Sequence, residues 1–152
     1  MDLGFSFVGL IFLVMLFVPN ILWSNNKPKD YEKHVVNENK ILSILERAGE
    51  VLVVCFSVIL INASYSSIIF LILAFILMIL YELYWIRYFK SNQTMKDTYS
   101  NFLAIPVAGA TLPVLAFLSL GIYELNIFLI ISTIILGIGH IGIHLSYKNE
   151  VQ

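Results

Sequence analysis

One uncharged run limits what this chain can become. From Ser66 to Leu80 no side chain carries a charge, and the sequence then reads Tyr81-Glu82-Leu83-Tyr84-Trp85-Ile86-Arg87-Tyr88-Phe89-Lys90. About 20 apolar residues at 1.5 Å rise cross the hydrocarbon core of a bilayer, so the run predicts a membrane-spanning helix. The aromatic and cationic residues at its far end suit a headgroup boundary. Glu82 lies inside the span. An ionisable group there is costly and usually faces protein or a cavity.

The rest of the chain is of the same kind. Of 152 residues, 59% are hydrophobic and 12% charged, against roughly 25% charged in soluble domains. The expectation is an all-α, polytopic transmembrane bundle, one domain over 1–152, whose first partner is the lipid bilayer. A net charge of -1 leaves no basic surface for nucleic acid. Cys55, the one cysteine, can form no intrachain disulfide and is expected as a small buried hydrophobe.

Hydropathy and turn signals predict five helices, over about 3–23, 44–62, 66–89, 101–120 and 125–147, with long polar loops at 24–43 and 90–100. The first lacks a positive leading region and a small-residue cleavage site, so it reads as a retained span. The fourth contains Pro106, Gly109 and Pro113, which invite a kink or a break in the backbone ladder. The fifth carries Gly139, Gly142 and Ser146 on one side, a small-residue stripe suited to close helix contact.

Charge then orients the bundle. Lys27, Lys29, Lys33, Lys40 and Arg47 flank the first connection, Arg87, Lys90 and Lys96 the third, and Lys148 the tail. On the five-helix reading all of them fall on one side. By the positive-inside rule that side is the cytoplasm, in a multi-pass cell-membrane protein with its N-terminus outside and its C-terminus cytoplasmic.

Depth singles out a site. Glu50, Glu82 and His140 come from three different helices, and each sits four to five residues inward of its span centre, about 6–8 Å below the midplane. His144 lies one turn deeper, and Asn20 and Arg47 lie near the same boundary. Thr133 shares the stripe of His140 and His144, and Tyr81 and Trp85 stand one turn apart beside Glu82. These residues predict a polar pocket in the cytoplasmic half that binds or transports a small molecule or cation, with proton coupling through Glu and His. A five-helix chain is small for a carrier, so a homo-oligomer or a membrane partner subunit is expected.

Two other readings use the same residues. A buried Glu, Arg and His network can fix helix packing without any ligand. A divalent metal could sit on His140, His144 and Glu82, since imidazoles four apart share a helix face. His140 as a base oriented by Glu82 would suit a lipid-modifying enzyme. No nucleophile motif supports that chemistry, so the sequence leans away from an enzyme.

Overall fold

The structure, a computed structural model, describes residues 2–34 and 38–151; part of the expected 24–43 loop therefore lies outside the described residues. The chain is all-helical apart from one small strand pair. Five long helices, α1 (Phe7–Asn25), α2 (Lys40–Ile59), α3 (Ile68–Phe89), α5 (Ala108–Tyr123) and α6 (Ile127–Val151), are joined by short links and a one-turn helix α4 (Met95–Thr98). A 3-10 turn, Tyr31–His34, follows α1. Three helices, α1, α3 and α6, are long and apolar enough to cross a membrane.

Side-chain caps set the helix starts. The backbone N–H of Gly9 donates to Ser6 Oγ at 3.0 Å, and that of Leu129 to Asn126 Oδ1 at 3.0 Å. Asn39 accepts from Ile41 N–H at 2.9 Å and opens α2 four residues before the expected 44. Each bond satisfies a donor that the helix itself leaves unpaired.

The packing order is α2 on α6, α6 on α5, α5 on α3, with α1 completing the ring against α2 and α3. α5 is buried nearly all round, as expected of a helix apolar on every face. Phe12 of α1 stacks edge-on to Phe75 of α3 at 4.9 Å and to Phe117 of α5 at 5.9 Å between ring centroids. The closest crossing is α2 on α6. A Cβ on Gly49 would lie 2.5 Å from Leu136 Cα, and one on Gly139 would strike the Glu46 backbone nitrogen and lie 2.6 Å from the Leu42 carbonyl oxygen.

Two other helix starts also move. The first helix begins at Phe7 because Asp2–Leu3 instead pair antiparallel with Leu60–Ile61, the extended residues that end α2. The fourth begins at Ala108, not 101. Leu103, Ala104 and Val107 have φ of 51°, 57° and 41°, and Pro106 can offer no N–H to a helical ladder. The break expected in this helix therefore falls before it, and only Pro113 lies inside.

The two ends of the bundle differ. At one, Lys29 N–H donates to the Gln93 carbonyl at 3.0 Å, Met95 N–H to Asp30 Oδ1 at 2.8 Å, and the Tyr147 hydroxyl to Glu38 at 3.1 Å, so the basic loops and the tail meet. Arg87 donates to the Asn101 carbonyl at 2.9 Å and lies 5.2 Å from the Phe102 ring centre. At the other end Ser66 N–H donates to the Tyr123 carbonyl at 2.8 Å, and Ser6 Oγ donates to Glu124 Oε1 at 3.0 Å.

Gly139→Ala forces the α2 backbone away and should cost about 1–3 kcal/mol. Gly142→Ala meets only the Leu42 side chain, nearest atom 3.0 Å, and should be nearly silent. Thermal unfolding in detergent separates the two, and equal losses would contradict the close crossing. A second test uses pH. Burial pushes the Glu124 carboxyl up from 4.5 to about 7, against the Ser6 hydrogen bond, which lowers it. The folded chain then holds a proton that the unfolded chain has released. Stability from this group is greatest below about 4.5, falls as pH rises through 7, and levels off above. Melting curves across that window should flatten in Glu124→Gln; an unchanged slope would mean that Glu124 is hydrated.

Candidate functional site

A cavity of about 660 Å³ occupies the centre of the ring, towards the end that carries the basic loops. Its origin lies in how α1 sits. α1 touches α2 at Gly9, where a Cβ would collide with the Ser57 carbonyl. Beyond that point the cavity lies between the two helices. Phe17 and Asn20 of α1 and Glu50, Val51 and Cys55 of α2 both line it and remain exposed. Ser24 and Glu38, at the basic-loop end, also line it and are exposed, so the cavity opens along the α1–α2 gap and at that end.

The depths of the cavity are apolar: Val53, Val54, Val114, Phe117 and Leu136. Polar groups stand on two sides. On the α2–α6 side are Glu46, Glu50, His140 and His144. Glu46 Oε1 and His140 Nδ1 lie 2.5 Å apart, a short contact for a charge-assisted hydrogen bond. The crossing at Gly139 causes it: α6 comes close enough at that turn for the next residue, His140, to reach Glu46. The rings of His140 and His144 are 4.5 Å apart, and His144 Nδ1 meets the Tyr99 hydroxyl at 3.1 Å. Burial, with Tyr84, Tyr147, Tyr31 and Glu38 nearby, holds the Tyr99 phenol well above its ordinary range, so it keeps its proton.

The α1–α3 side is different. Here Trp23 and Trp85 line the cavity, and among the described residues neither buried indole N–H makes a well-formed hydrogen bond, although the Tyr81 hydroxyl stands near that of Trp85. An indole N–H is a donor only, and a buried one is normally paired. Below them the Tyr84 hydroxyl donates to the Thr98 carbonyl at 2.7 Å, pinning α4 to α3.

The residues singled out from sequence divide into two groups. Asn20, Glu50, Trp85, His140 and His144 line the cavity; Arg47, Tyr81, Glu82 and Thr133 do not. Thr133 is fully buried and its hydroxyl donates to the Leu129 carbonyl at 2.7 Å within its own helix. The Tyr81 hydroxyl turns to Asn20 Oδ1 at 3.3 Å. Glu82 lies on the helix face of Ile79 and Ile86, both about half exposed, and among the described residues it forms no ion pair or side-chain hydrogen bond. Its assignment beside His140 is corrected: Glu46 takes that place. Cys55, expected buried, is exposed at the cavity mouth.

Glu46 was visible in the sequence only as a neighbour of Glu50 on one helix face. Tyr147 shares the four-three stripe of His140 and His144; nothing in the periodicity marks Trp23 or Tyr99, which reach the cavity from the end of α1 and from the link after α4. No protein-family model matches the chain, and no match is found among curated proteins or solved structures.

Tyr84→Phe leaves the buried Thr98 carbonyl unpaired and should cost about 1–3 kcal/mol. Tyr81→Phe, whose hydroxyl contacts are 3.3 and 3.5 Å, should cost clearly less. Chemical or thermal unfolding of the two variants tests the order, and the reverse order would mean that α4 is not tied down through Tyr84.

Proposed function

We propose that the chain is a five-span integral membrane protein that binds a small amphipathic molecule, entering from the bilayer between α1 and α2. The observation that carries this reading is the sideways-opening cavity. Its volume of about 660 Å³ falls within the range of small-molecule sites, about 300–1,000 Å³. Its walls are mainly apolar, with carboxylates on one side and unpaired donors on the other. The ligand that suits them has an apolar body, a basic group for Glu46 and Glu50, and an acceptor for the indoles of Trp23 and Trp85.

On this reading α2 and α5 are spans as well. α2 carries Glu46, Arg47 and Glu50, and both acids face the cavity, where polar side chains in a membrane bundle belong. α5 is 16 residues long, short for a span, but it is wrapped by its neighbours and meets little lipid. The basic end faces the cytoplasm by the positive-inside rule. Transport across the membrane is the active form of the same proposal, and the close Glu46–His140 contact is where proton coupling would occur.

One observation favours a second reading, in which the polar groups serve packing alone. The Glu46–His140 contact lies where α2 and α6 are closest, so it could fix their register without any ligand.

A fluorescent alkylammonium amphiphile tests the pocket. Its emission should rise saturably on adding the purified chain. Glu50→Gln should weaken binding about tenfold, equivalent to about 1.4 kcal/mol. Val54→Trp, which fills the cavity, should abolish binding while keeping the melting temperature. Unaltered binding in Val54→Trp would reduce the signal to micelle partition and leave the packing reading.

A further inference from the structure

The α2–α6 wall holds a second kind of chemistry. Glu46, His140 and His144 each present one donor atom, and the three atoms lie within 4.8 Å of one another. All three residues are partly buried, and all line the cavity. They come from two helices locked together by the close approach at Gly139, so the donors rest on a stiff base.

We propose that Glu46, His140 and His144 bind one divalent transition metal of the zinc class, with an open coordination position facing the cavity. Two imidazoles and a carboxylate make a mixed nitrogen and oxygen set, which suits zinc and its neighbours rather than calcium or magnesium. Three protein donors with a free fourth position is the pattern of reactive zinc sites rather than of closed structural ones. Glu46 Oε1 and His140 Nδ1 already converge on one another at 2.5 Å. Adjacent donors on tetrahedral zinc stand about 3.3 Å apart, so a metal between them spreads the pair by less than an ångström. The Tyr99 hydroxyl occupies His144 Nδ1 at 3.1 Å, which leaves Nε2 for the metal. A hydrogen bond on the far ring nitrogen is the usual means of fixing the tautomer and angle of a metal-bound histidine. The sequence alone had offered Glu82 as the acid of such a site; the fold replaces it with Glu46.

The metal goes beyond the pocket reading and does not depend on it. Tag-free chain, stripped with chelator and dialysed against Zn²⁺, should retain about one zinc per chain by elemental analysis. Its melting temperature should rise on zinc addition and fall again with chelator. His144→Ala and the double variant His140→Ala/His144→Ala should lose the zinc and its thermal effect. Because Glu46 and His140 also join two helices, Tyr99→Phe serves as a variant outside that pair. It should fold normally and bind zinc about tenfold more weakly. Glu82→Gln should bind as the parent does. A chain that takes up no zinc, or a double variant that keeps it, overturns the proposal. Amphiphile binding by a chain that takes up no zinc would leave the pocket reading standing and remove the metal; zinc uptake without amphiphile binding would do the reverse.

Discussion

Two glycines let α2 and α6 meet backbone to backbone, and the rest of the molecule is arranged around that contact. With Gly49 against Leu136 and Gly139 against Glu46, no side chain separates the two helices at the crossing. Such closeness gives the two helices dispersion contacts and short polar links along the crossing. It also sets the site. The closeness at Gly139 brings His140 to Glu46, and one turn on His144 reaches Tyr99 from a different part of the chain. Packing and chemistry arise from one piece of geometry.

The opposite side of the ring is built differently. α1 is held at its first turn by Gly9 against Ser57 and at its middle by Phe12 between Phe75 and Phe117. Towards its far end it keeps to α3, through Tyr81 on Asn20 and Tyr88 on Asn26, and parts from α2 at the cavity. The polar groups follow this division. The tightly packed wall carries acids and imidazoles already engaged with one another. The other wall carries two buried indole donors, neither of which makes a well-formed hydrogen bond among the described residues.

Helical content and the places of the long apolar runs were legible from hydropathy, because each long run can bury its backbone polar groups only as helix. Ends were less legible. Asp2–Leu3 join a strand pair because Leu60–Ile61 offer an extended edge, a long-range fact that no local pattern carries. Pro106 announced a break, but whether it fell inside or before the helix depended on the left-handed residues at Leu103, Ala104 and Val107. For the site, helical depth grouped Glu50, His140 and His144, which all line the cavity, and drew in Glu82, which does not. Depth along a helix is written in the sequence; the direction a residue faces around it depends on which neighbour arrives. α3 turns Tyr84 and Trp85 inward and so turns Glu82 away.

The sideways mouth has a consequence for how occupancy would be measured. A site reached through the flank of a bundle in a bilayer samples solutes dissolved in the hydrocarbon, not in the buffer. Its apparent affinity then scales with the partition coefficient of the solute and with the amount of lipid present. Two laboratories using different protein-to-lipid ratios would report different constants for the same molecule, and only mole fractions within the bilayer would agree.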